Sequence, residues 1–440
     1  MIRMSQDVMD RHFPTACGAG GSPLIGAATL PAPSALAARW RLDKNLVFLN
    51  FGSYGGCPDE VLAAHDEYRA RVERDPVRFF KVDLERLLDG VREKVGAFVG
   101  CRPENLAPIR NATMALATVF FSKGFRAGDE VVTNNHEYSS GTNELARLAE
   151  RAGVRVVTAE VPFPIADPAE AAGAIIGAIT SRTRLVVMSH VTSCTSLVMP
   201  VERVIAECHA RGVDILIDGA HAPGQIELDI ERLNPTYYVG SFHKWMCAPK
   251  GTGFLWVRAD RRAGFRSAML SSRAAKVRED RPLFLRDFDY MGTDDYTGML
   301  CVPHAIEAMA KMVPGGWDEV RRRNRALALE ARGAVCAMAG LRAGCPDSMV
   351  GSMVSLALPE ADASLAGRAT LYDDPLQDAL VEKHGVQVPI WRLGEGTREN
   401  PGVRIIRLSA QLYNSIEQYR YLGEALVKEL NGERALKQTG

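Results

Sequence analysis

A stretch near the middle of the chain, residues 214–253, constrains the fold more than any other part of the sequence. It contains two short apolar runs, residues 215–217 and 237–239, with little polar alternation. Such runs are typical of strands that lie inside a parallel sheet and are buried on both faces. Asp218 ends the first run, and Lys244 follows shortly after the second. Because open α/β sheets bind ligands beyond the carboxyl ends of their strands, we expect both side chains at one ligand site.

The two side chains have complementary chemistry. A lysine amine in a partly apolar setting can be neutral and form an imine with an aldehyde. A buried aspartate can hold a proton on a heterocyclic nitrogen. The pair Asp218 and Lys244 therefore suits pyridoxal phosphate (PLP), whose protonated ring withdraws electrons from a substrate carbanion. The structural alternative is a salt-bridged aspartate and a surface lysine between two ordinary strands.

The motifs around these residues resemble a known family. DGAHAPG at residues 218–224 and SFHKW at residues 241–245 resemble the class V aminotransferase group of fold-type I PLP enzymes. Within that group, the chain after residue 46 is most similar to the isopenicillin N epimerase-like proteins. The resemblance implies an α/β fold: a three-layer large domain with a mostly parallel sheet, and a small α/β C-terminal domain. We place an N-terminal arm at residues 1–45, the large PLP-binding domain at 46–300 and the small domain at 301–440.

The resemblance also implies which residues contact the cofactor. Lys244 would form the Schiff base, and Asp218 would pair with the pyridine nitrogen. A hydroxyl and free backbone N–H groups at a helix N-terminus form an anion site, although such a residue can also be a simple helix cap. The implied phosphate contacts are Asn111, Ala112, Thr113, Ser241 and His243. Ser193 and His221 are implied near the phenolic oxygen, and Thr293 would complete the phosphate site of the neighbouring subunit in a homodimer.

The loop NNHEYS, residues 134–139, supplies two further candidates, both also predicted to be catalytic. By resemblance, His136 is the aligned residue for stacking on the pyridine ring. Tyr138 is close enough in the sequence to share or take that task. Outside the family, a lone histidine after a strand is more often a structural group.

The substrate side is predicted from three positions. Arg407 would clamp the substrate α-carboxylate, because a planar guanidinium binds a carboxylate through two parallel hydrogen bonds. Phe51 occupies the place of the family's histidine in the glycine-rich loop 50–56 and predicts an apolar wall, with a tight turn as the alternative. Cys194 replaces the proline of most relatives, and a buried inert thiol is favoured over a reactive one.

Several reactions remain open for an amino acid that reacts at Cα through an aldimine. Epimerisation, the leading expectation, needs proton donors on both faces of the carbanion. A C–S lyase that eliminates a thiolate from an S-substituted cysteine needs one base, and transamination or oxidative deamination is the third outcome. A cysteine desulfurase is disfavoured because no cysteine follows residue 346. A non-catalytic PLP-binding protein is disfavoured because Lys244 and Asp218 are both present.

Charge and cysteine usage limit the other partners and the compartment. The formal net charge is +0, which gives no general attraction to nucleic acid or to an anionic membrane. No apolar run approaches the length of a membrane span. The nine cysteines show no CxxC spacing, so we expect reduced thiols, no metal site and a cytoplasmic location.

Overall fold

The computed structural model describes residues 30–361, 365, 369–394 and 402–439, with side chains described as far as residue 435. The strands, in chain order, are β1 (Val47–Phe48), β2 (Leu106–Ile109), β3 (Glu130–Asn134), β4 (Arg155–Ala159), β5 (Thr183–Ser189), β6 (Asp214–Gly219), β7 (Tyr237–Ser241), β8 (Gly253–Val257), β9 (Met353–Ala357), β10 (Val386–Gln387), β11 (Ile390–Leu393) and β12 (Val403–Ser409). The longer helices are Asp59–Arg74, Leu84–Val99, Ala112–Ser122, Ser139–Ala152, Pro168–Gly177, Val201–Ala210, Val302–Ala310, Gly316–Ala339, Pro375–His384 and Ile416–Thr439. The shorter helical segments are Ala35–Arg39, Phe51–Tyr54, Pro76–Arg78, Phe79–Asp83, Pro103–Asn105, Ile230–Leu233, Ala259–Arg261, Leu283–Asp289, Thr297–Leu300 and Asp347–Met349.

The large sheet has seven strands in the order β2-β8-β7-β6-β5-β3-β4. Strands β3 to β7 pair in parallel, whereas β8 is antiparallel to both of its neighbours. The predicted mostly parallel sheet is therefore confirmed, and β8 is an internal antiparallel strand between β7 and the edge strand β2. In the register of the sheet, Asp218 pairs with Ser189 on one side and Val239 on the other, so the ends of β5, β6 and β7 meet at one edge.

Both faces of this sheet are covered, which explains the absence of polar alternation in the central runs. On β6, Ile215 and Ile217 pack into one apolar cluster, and Leu216 packs into the cluster on the opposite face. All three side chains are fully buried, and each contributes roughly 1.5–3 kcal/mol relative to an exposed position. The result is the predicted three-layer arrangement of helices, sheet and helices.

The C-terminal part of the chain forms a second, smaller sheet in the order β11-β12-β9, which is antiparallel throughout. Its core is separate from the two clusters of the large sheet, and it includes Val47 and Leu49. β1 pairs in parallel with β10, so the first strand after the N-terminal arm packs with the C-terminal unit rather than with the large sheet. Most of the predicted arm, residues 1–29, lies outside the described residues.

The sequence of residues 386–390 predicts a single strand, and this prediction is wrong. The structure divides this segment between β10 and β11, which belong to different sheets. Pro389 lies between them and has no N–H with which to continue a strand ladder. The next N–H, that of Ile390, donates instead to Gln377 Oε1 at 2.8 Å.

Within the described residues, no helix combines the length and the apolar character that a membrane crossing requires.

Candidate active site

The carboxyl ends of β5, β6 and β7 open into a cleft of about 1370 Å³. The N-terminus of helix Ala112–Ser122 lies at one end of it, and Trp391 and Leu393 of β11 contribute to its wall. Most predicted site residues line the cleft, namely Asn111, Ala112, Thr113, Tyr138, Ser193, Asp218, His221, Ser241, His243 and Lys244. The predicted residues that do not line it are Phe51, His136, Thr293 and Arg407.

Asp218 and Lys244 face the same cleft, and no ion pair joins them in the described structure. One Asp218 oxygen, Oδ1, accepts a hydrogen bond from the Ala220 N–H at 2.8 Å. Burial raises the pKa of Asp218, although the Lys244 charge acts to lower it. Burial lowers the pKa of Lys244 to about 8, against the opposing effect of Asp218. The cleft therefore offers a partly neutral amine and a carboxylate to different parts of one ligand, as an aldehyde with a ring nitrogen requires.

The end of the cleft at helix Ala112–Ser122 suits an anion such as phosphate. Asn111 caps this helix, because its Oδ1 accepts from the Met114 N–H at 2.9 Å. N–H groups in the first turn of a helix have no carbonyl partner within the helix and favour negative charge. The Thr113 hydroxyl donates to Ser140 Oγ at 3.1 Å, so a second hydroxyl stands beside it. His243 is held by the Thr252 carbonyl at 3.2 Å, and burial lowers the pKa of His243 to about 4.

His136 does not occupy the place predicted for it. Its ring is fully buried, with Nε2 2.9 Å from the Val161 carbonyl oxygen and Nδ1 2.9 Å from Thr195 Oγ1. Burial lowers the pKa of His136 to about 4. The chain turns after β3, and the neighbouring side chain of Glu137 lines the cleft instead. Tyr138 also lines the cleft and is 54% exposed, so this loop still offers an aromatic group to a cofactor ring.

Glu137 is a cleft residue that the sequence analysis missed. Its carboxylate accepts hydrogen bonds from the Ser189 N–H at 2.8 Å, the Ser189 hydroxyl at 2.7 Å and the Asn134 side-chain amide at 2.6 Å. Burial raises the pKa of Glu137 to about 7, and the nearby charge of Asp218 adds to the increase. The only signal in the sequence was a charged residue just beyond a buried strand. Its proximity to Asp218 depends on the pairing of β3 with β5 and of β5 with β6.

Phe51 is also not a cleft residue, which corrects the prediction of an apolar substrate wall. Its ring is fully buried and lies 5.5 Å from the Trp245 ring and 5.8 Å from the Tyr413 ring. The following residues of the loop, residues 52–54, line the cleft. Gly55 has φ 66°, and a Cβ added there would lie 1.9 Å from the His243 carbonyl oxygen. The glycine-rich loop is thus a tight turn that packs its backbone against the segment carrying Lys244.

Arg407 lies behind the cleft wall and is 1% exposed. One terminal nitrogen donates to the Ser193 carbonyl oxygen at 2.9 Å, and the other donates to Ser53 Oγ at 2.9 Å and Asn50 Oδ1 at 3.1 Å. The guanidinium stacks 4.7 Å from the Trp391 ring centre, and its buried Nε has no hydrogen-bond partner. No carboxylate of the described residues pairs with it, and burial lowers the pKa of Arg407 to about 10. The result is a desolvated cation held only by neutral groups.

Two remaining predictions concern Thr293 and Cys194. Thr293 lies outside the cleft: its hydroxyl is 2.8 Å from the Tyr290 hydroxyl, and it borders a separate cavity of about 200 Å³. The role of Thr293 in a second subunit stays a prediction. Cys194 lines the cleft, and burial raises the pKa of its thiol to about 12, which favours an inert thiol over a reactive thiolate.

Comparisons with known proteins agree with this geometry. The family model for aminotransferase class-V matches residues 56–374. The isopenicillin N epimerase of Streptomyces clavuligerus is 32% identical over 410 residues, which cover 90% of this chain and 97% of that protein. A probable chloroplastic L-cysteine desulfhydrase of Arabidopsis thaliana is 28% identical, over 87% of this chain and 83% of that protein. The crystal structure of the cysteine desulfurase CsdA from Escherichia coli has a TM-score of 0.72 at 19% identity, over 90% of this chain and 97% of that chain.

The family match covers well over half of the chain, and the cleft provides suitable groups for the aldehyde, ring nitrogen and phosphate of one cofactor. The chain therefore belongs to the class-V aminotransferase family and is an enzyme that depends on pyridoxal 5′-phosphate.

Proposed function

We propose that this enzyme epimerises an amino acid by removing the proton at Cα and returning it to the opposite face. The observation that carries the proposal is the unpaired charge of Arg407 beside the cleft that contains Lys244. An α-carboxylate would supply the missing negative charge, because a guanidinium binds a carboxylate through two parallel hydrogen bonds. The hydroxyls of Ser53 and Ser193, both cleft residues, contact one terminal nitrogen of Arg407 each, and rotation of these hydroxyls would free one N–H on each nitrogen.

The cleft residues would hold PLP by its three polar ends. Lys244 would hold the aldehyde carbon, and Asp218 would hold the ring nitrogen in its protonated form. When bound, PLP supplies the electron-withdrawing ring that acidifies the Cα proton of the attached amino acid. The proposed phosphate contacts are Asn111, Ala112, Thr113, Ser241 and His243, and the proposed contacts to the phenolic oxygen are Ser193 and His221.

Lys244 is the base in this proposal. Its pKa of about 8 leaves a useful neutral fraction near neutral pH, and a base is most efficient when its pKa lies close to the working pH. Return of the proton on the other face needs a second donor. Tyr138 is our candidate for this second donor, because it lines the cleft whereas the His136 ring is enclosed behind the wall. The identity with isopenicillin N epimerases supports this reaction.

A second candidate function is β-elimination from an S-substituted cysteine. Two positions that could carry an opposing acid lie apart from the cleft lining: the His136 ring is buried, and position 51 is a phenylalanine where the family has a histidine. Elimination needs Lys244 alone as the base, with the leaving group aligned to the ring, so it tolerates the loss of an opposing acid. The identity with L-cysteine desulfhydrases supports this candidate.

We further propose that the active unit is a homodimer in the cytoplasm. Thr293 lies outside the cleft of its own chain, which is compatible with a contact to the phosphate site of a second copy. The cysteines in the described part of the chain are free thiols, as expected in a reducing compartment. Light scattering of the active enzyme tests the dimer, and a fully active monomer would refute it.

One experiment separates the reactions. The PLP-loaded enzyme is incubated in deuterated water with L- and D-amino acids and with S-substituted cysteines, and the products are analysed by mass spectrometry and chiral chromatography. Epimerisation predicts deuterium at Cα in both enantiomers without pyruvate, and Tyr138→Phe should slow it by about 10²–10⁴-fold. Elimination predicts pyruvate and a free thiol, with Tyr138→Phe affecting the rate far less than Lys244→Ala. A keto acid that retains the side chain would indicate transamination or oxidative deamination and contradict both candidates.

A further inference from the structure

A buried row of hydrogen bonds connects Trp245 to the Lys244 amine through His221. The Trp245 indole N–H donates to His221 Nδ1 at 3.3 Å, and His221 Nε2 lies 3.0 Å from Lys244 Nζ. Trp245 is 1% exposed and His221 is 2% exposed, so water does not compete readily for these contacts. Trp245 itself does not line the cleft.

The chemistry of the indole determines the protonation of the imidazole. An indole N–H is a donor and never an acceptor, so His221 Nδ1 must carry a lone pair. A neutral imidazole has one N–H, which is therefore on Nε2 and points at Lys244 Nζ. Lys244 accepts that hydrogen bond only as a neutral amine, because an ammonium has no lone pair. Turning the ring over would place carbons at both nitrogen positions and remove both contacts.

The charges around His221 and Lys244 favour the same state. Burial lowers the pKa of His221, the Arg407 charge lowers it further, and Lys244 and His243 do the same whenever they are protonated, so its ring stays neutral. Around Lys244, burial and Arg407 lower the amine pKa, and Asp218 is the group that raises it. The geometry of the row and its electrostatic surroundings therefore agree on a neutral imidazole beside a partly neutral amine.

We propose that Trp245 is a positioning residue that holds His221 in the Nε2–H tautomer, so that His221 donates to Lys244 and not the reverse. The same N–H would be available to the phenolic oxygen of the cofactor. This inference rests on the proposed function only in assigning Lys244 as the lysine that holds PLP. The inference gives a role to Trp245, which makes no proposed contact to the cofactor or the substrate.

The tautomer is measured directly by ¹⁵N NMR of the full-length protein labelled at histidine, with PLP bound and after its removal. The His221 signal is assigned by its loss in His221→Gln. In the wild type, Nε2 should show the shift of a protonated nitrogen and Nδ1 that of an unprotonated one. A wild-type spectrum with the proton on Nδ1 would overturn the proposal without the need for any variant at Trp245.

Trp245→Phe tests the cause. It should allow the Nδ1–H tautomer, let Nε2 accept from an ammonium, and raise the Lys244 pKa by about one unit, the size expected for one hydrogen bond to a charged group. That pKa is measured from the pH dependence of acetylation of Lys244 in the PLP-free chain, followed by peptide mass spectrometry. Trp256→Phe is the matched control, because Trp256 is fully buried and its Nε1 has no hydrogen-bond partner.

The outcomes distinguish this inference from the proposed function. If Trp245→Phe keeps the Nε2–H tautomer and the wild-type acetylation profile, with circular dichroism like that of Trp256→Phe, the positioning role is refuted while PLP binding at Lys244 stands. If the wild type fails to bind PLP at Lys244, the proposed function fails, whereas the NMR result on the PLP-free chain still decides the tautomer.

Discussion

Arg404 and Arg407 lie on the same strand, β12, and both are withdrawn from solvent, yet their surroundings differ completely in charge. Residues three apart on a strand face opposite sides of the sheet. Arg404 donates to the Asp374 carboxylate at 2.8 Å and to both oxygens of Glu433 at 2.8 and 2.9 Å, and these partners raise its pKa. Arg407 meets only neutral oxygens, and burial lowers its pKa to about 10.

The two arginines show where buried charge in this molecule is left without a partner of opposite charge. A desolvated cation costs free energy unless a negative group pairs with it. On the Arg404 face the chain supplies two carboxylates, so that charge serves the fold. On the cleft face Arg407 and Lys244 have no ion-pair partner among the described residues. The functional side of the strand is therefore the side on which a buried charge has no protein ion-pair partner and can pair with a ligand.

The largest effect is expected at Lys244, the other basic group of the cleft that has no ion-pair partner among the described residues. Lys244→Ala should abolish turnover and the absorbance of lysine-bound cofactor near roughly 400–430 nm, because both the covalent attachment and the base are removed. Thermal unfolding should change little, since no ion pair is lost. Lys250→Ala is the control, an exposed lysine on the same loop. Wild-type turnover in Lys244→Ala would refute the functional role of Lys244.

Arg404→Met should reduce the free energy of unfolding by about 3–5 kcal/mol, because it leaves Asp374 and Glu433 without their cation. Urea unfolding measures this, and kcat/KM of the folded enzyme should stay within about twofold. Asp374→Asn and Glu433→Gln added to Arg404→Met should restore part of the loss. The structural role of Arg404 is refuted if the loss matches that of Arg420→Met, which removes an exposed pair with Glu417.

Arg407→Met should show the reverse pattern. We expect kcat/KM to fall by about 10²-fold or more, since hydrogen bonds between charged groups contribute about 1.5–3 kcal/mol each. The free energy of unfolding should stay level or rise, because an unpaired buried charge is removed. Arg407→Lys keeps the charge without the paired donors and should be intermediate. A loss of stability equal to that of Arg404→Met, with kcat/KM unchanged, would show that the two arginines do not differ in role.

Glu137→Gln tests a buried carboxylate that, like Arg407, has only neutral hydrogen-bond partners. Its pKa is raised from 4.5 to about 7, so the folded state binds the proton more tightly than the unfolded state. This stabilisation is complete below pH 4.5 and is lost as the pH rises through 7. Glu137→Gln cannot ionise, so between pH 5 and 8 its free energy of unfolding should fall by about 2–3 kcal/mol less than that of the wild type. Urea titrations at both pH values test this, and Glu160→Gln, a substitution at another cleft residue, is the control. If the free energies of unfolding of the wild type and of Glu137→Gln change equally with pH, Glu137 does not have a raised pKa.

The fold and the cofactor were predictable from the sequence because the signals are local. The motifs DGAHAPG and SFHKW each combine a buried strand with the side chains that follow it, so their meaning does not depend on distant residues. The segment 386–390 departs from its sequence prediction because β-branched residues on both sides of Pro389 favour a strand, while distant partners determine which sheet each half joins. The roles of the site residues remain predictions, although the structure brings most of them to one cleft.

The parallel sheet, the cofactor and the position of Lys244 beyond a strand end could all be predicted from the sequence alone. The sequence does not show which side chains of the 134–139 turn face the cleft, because the regular alternation of side chains along a strand ends where the chain turns. The tertiary structure sets these directions. It also separated Arg404 from Arg407, whose surroundings in the sequence are alike. The carboxylates that neutralise Arg404 are about thirty residues away on either side, and the Ser193 that contacts Arg407 is 214 residues away. Contacts at such separations are set by the packing of strands and helices, and for that reason the charge balance of each arginine could not be read from its neighbours.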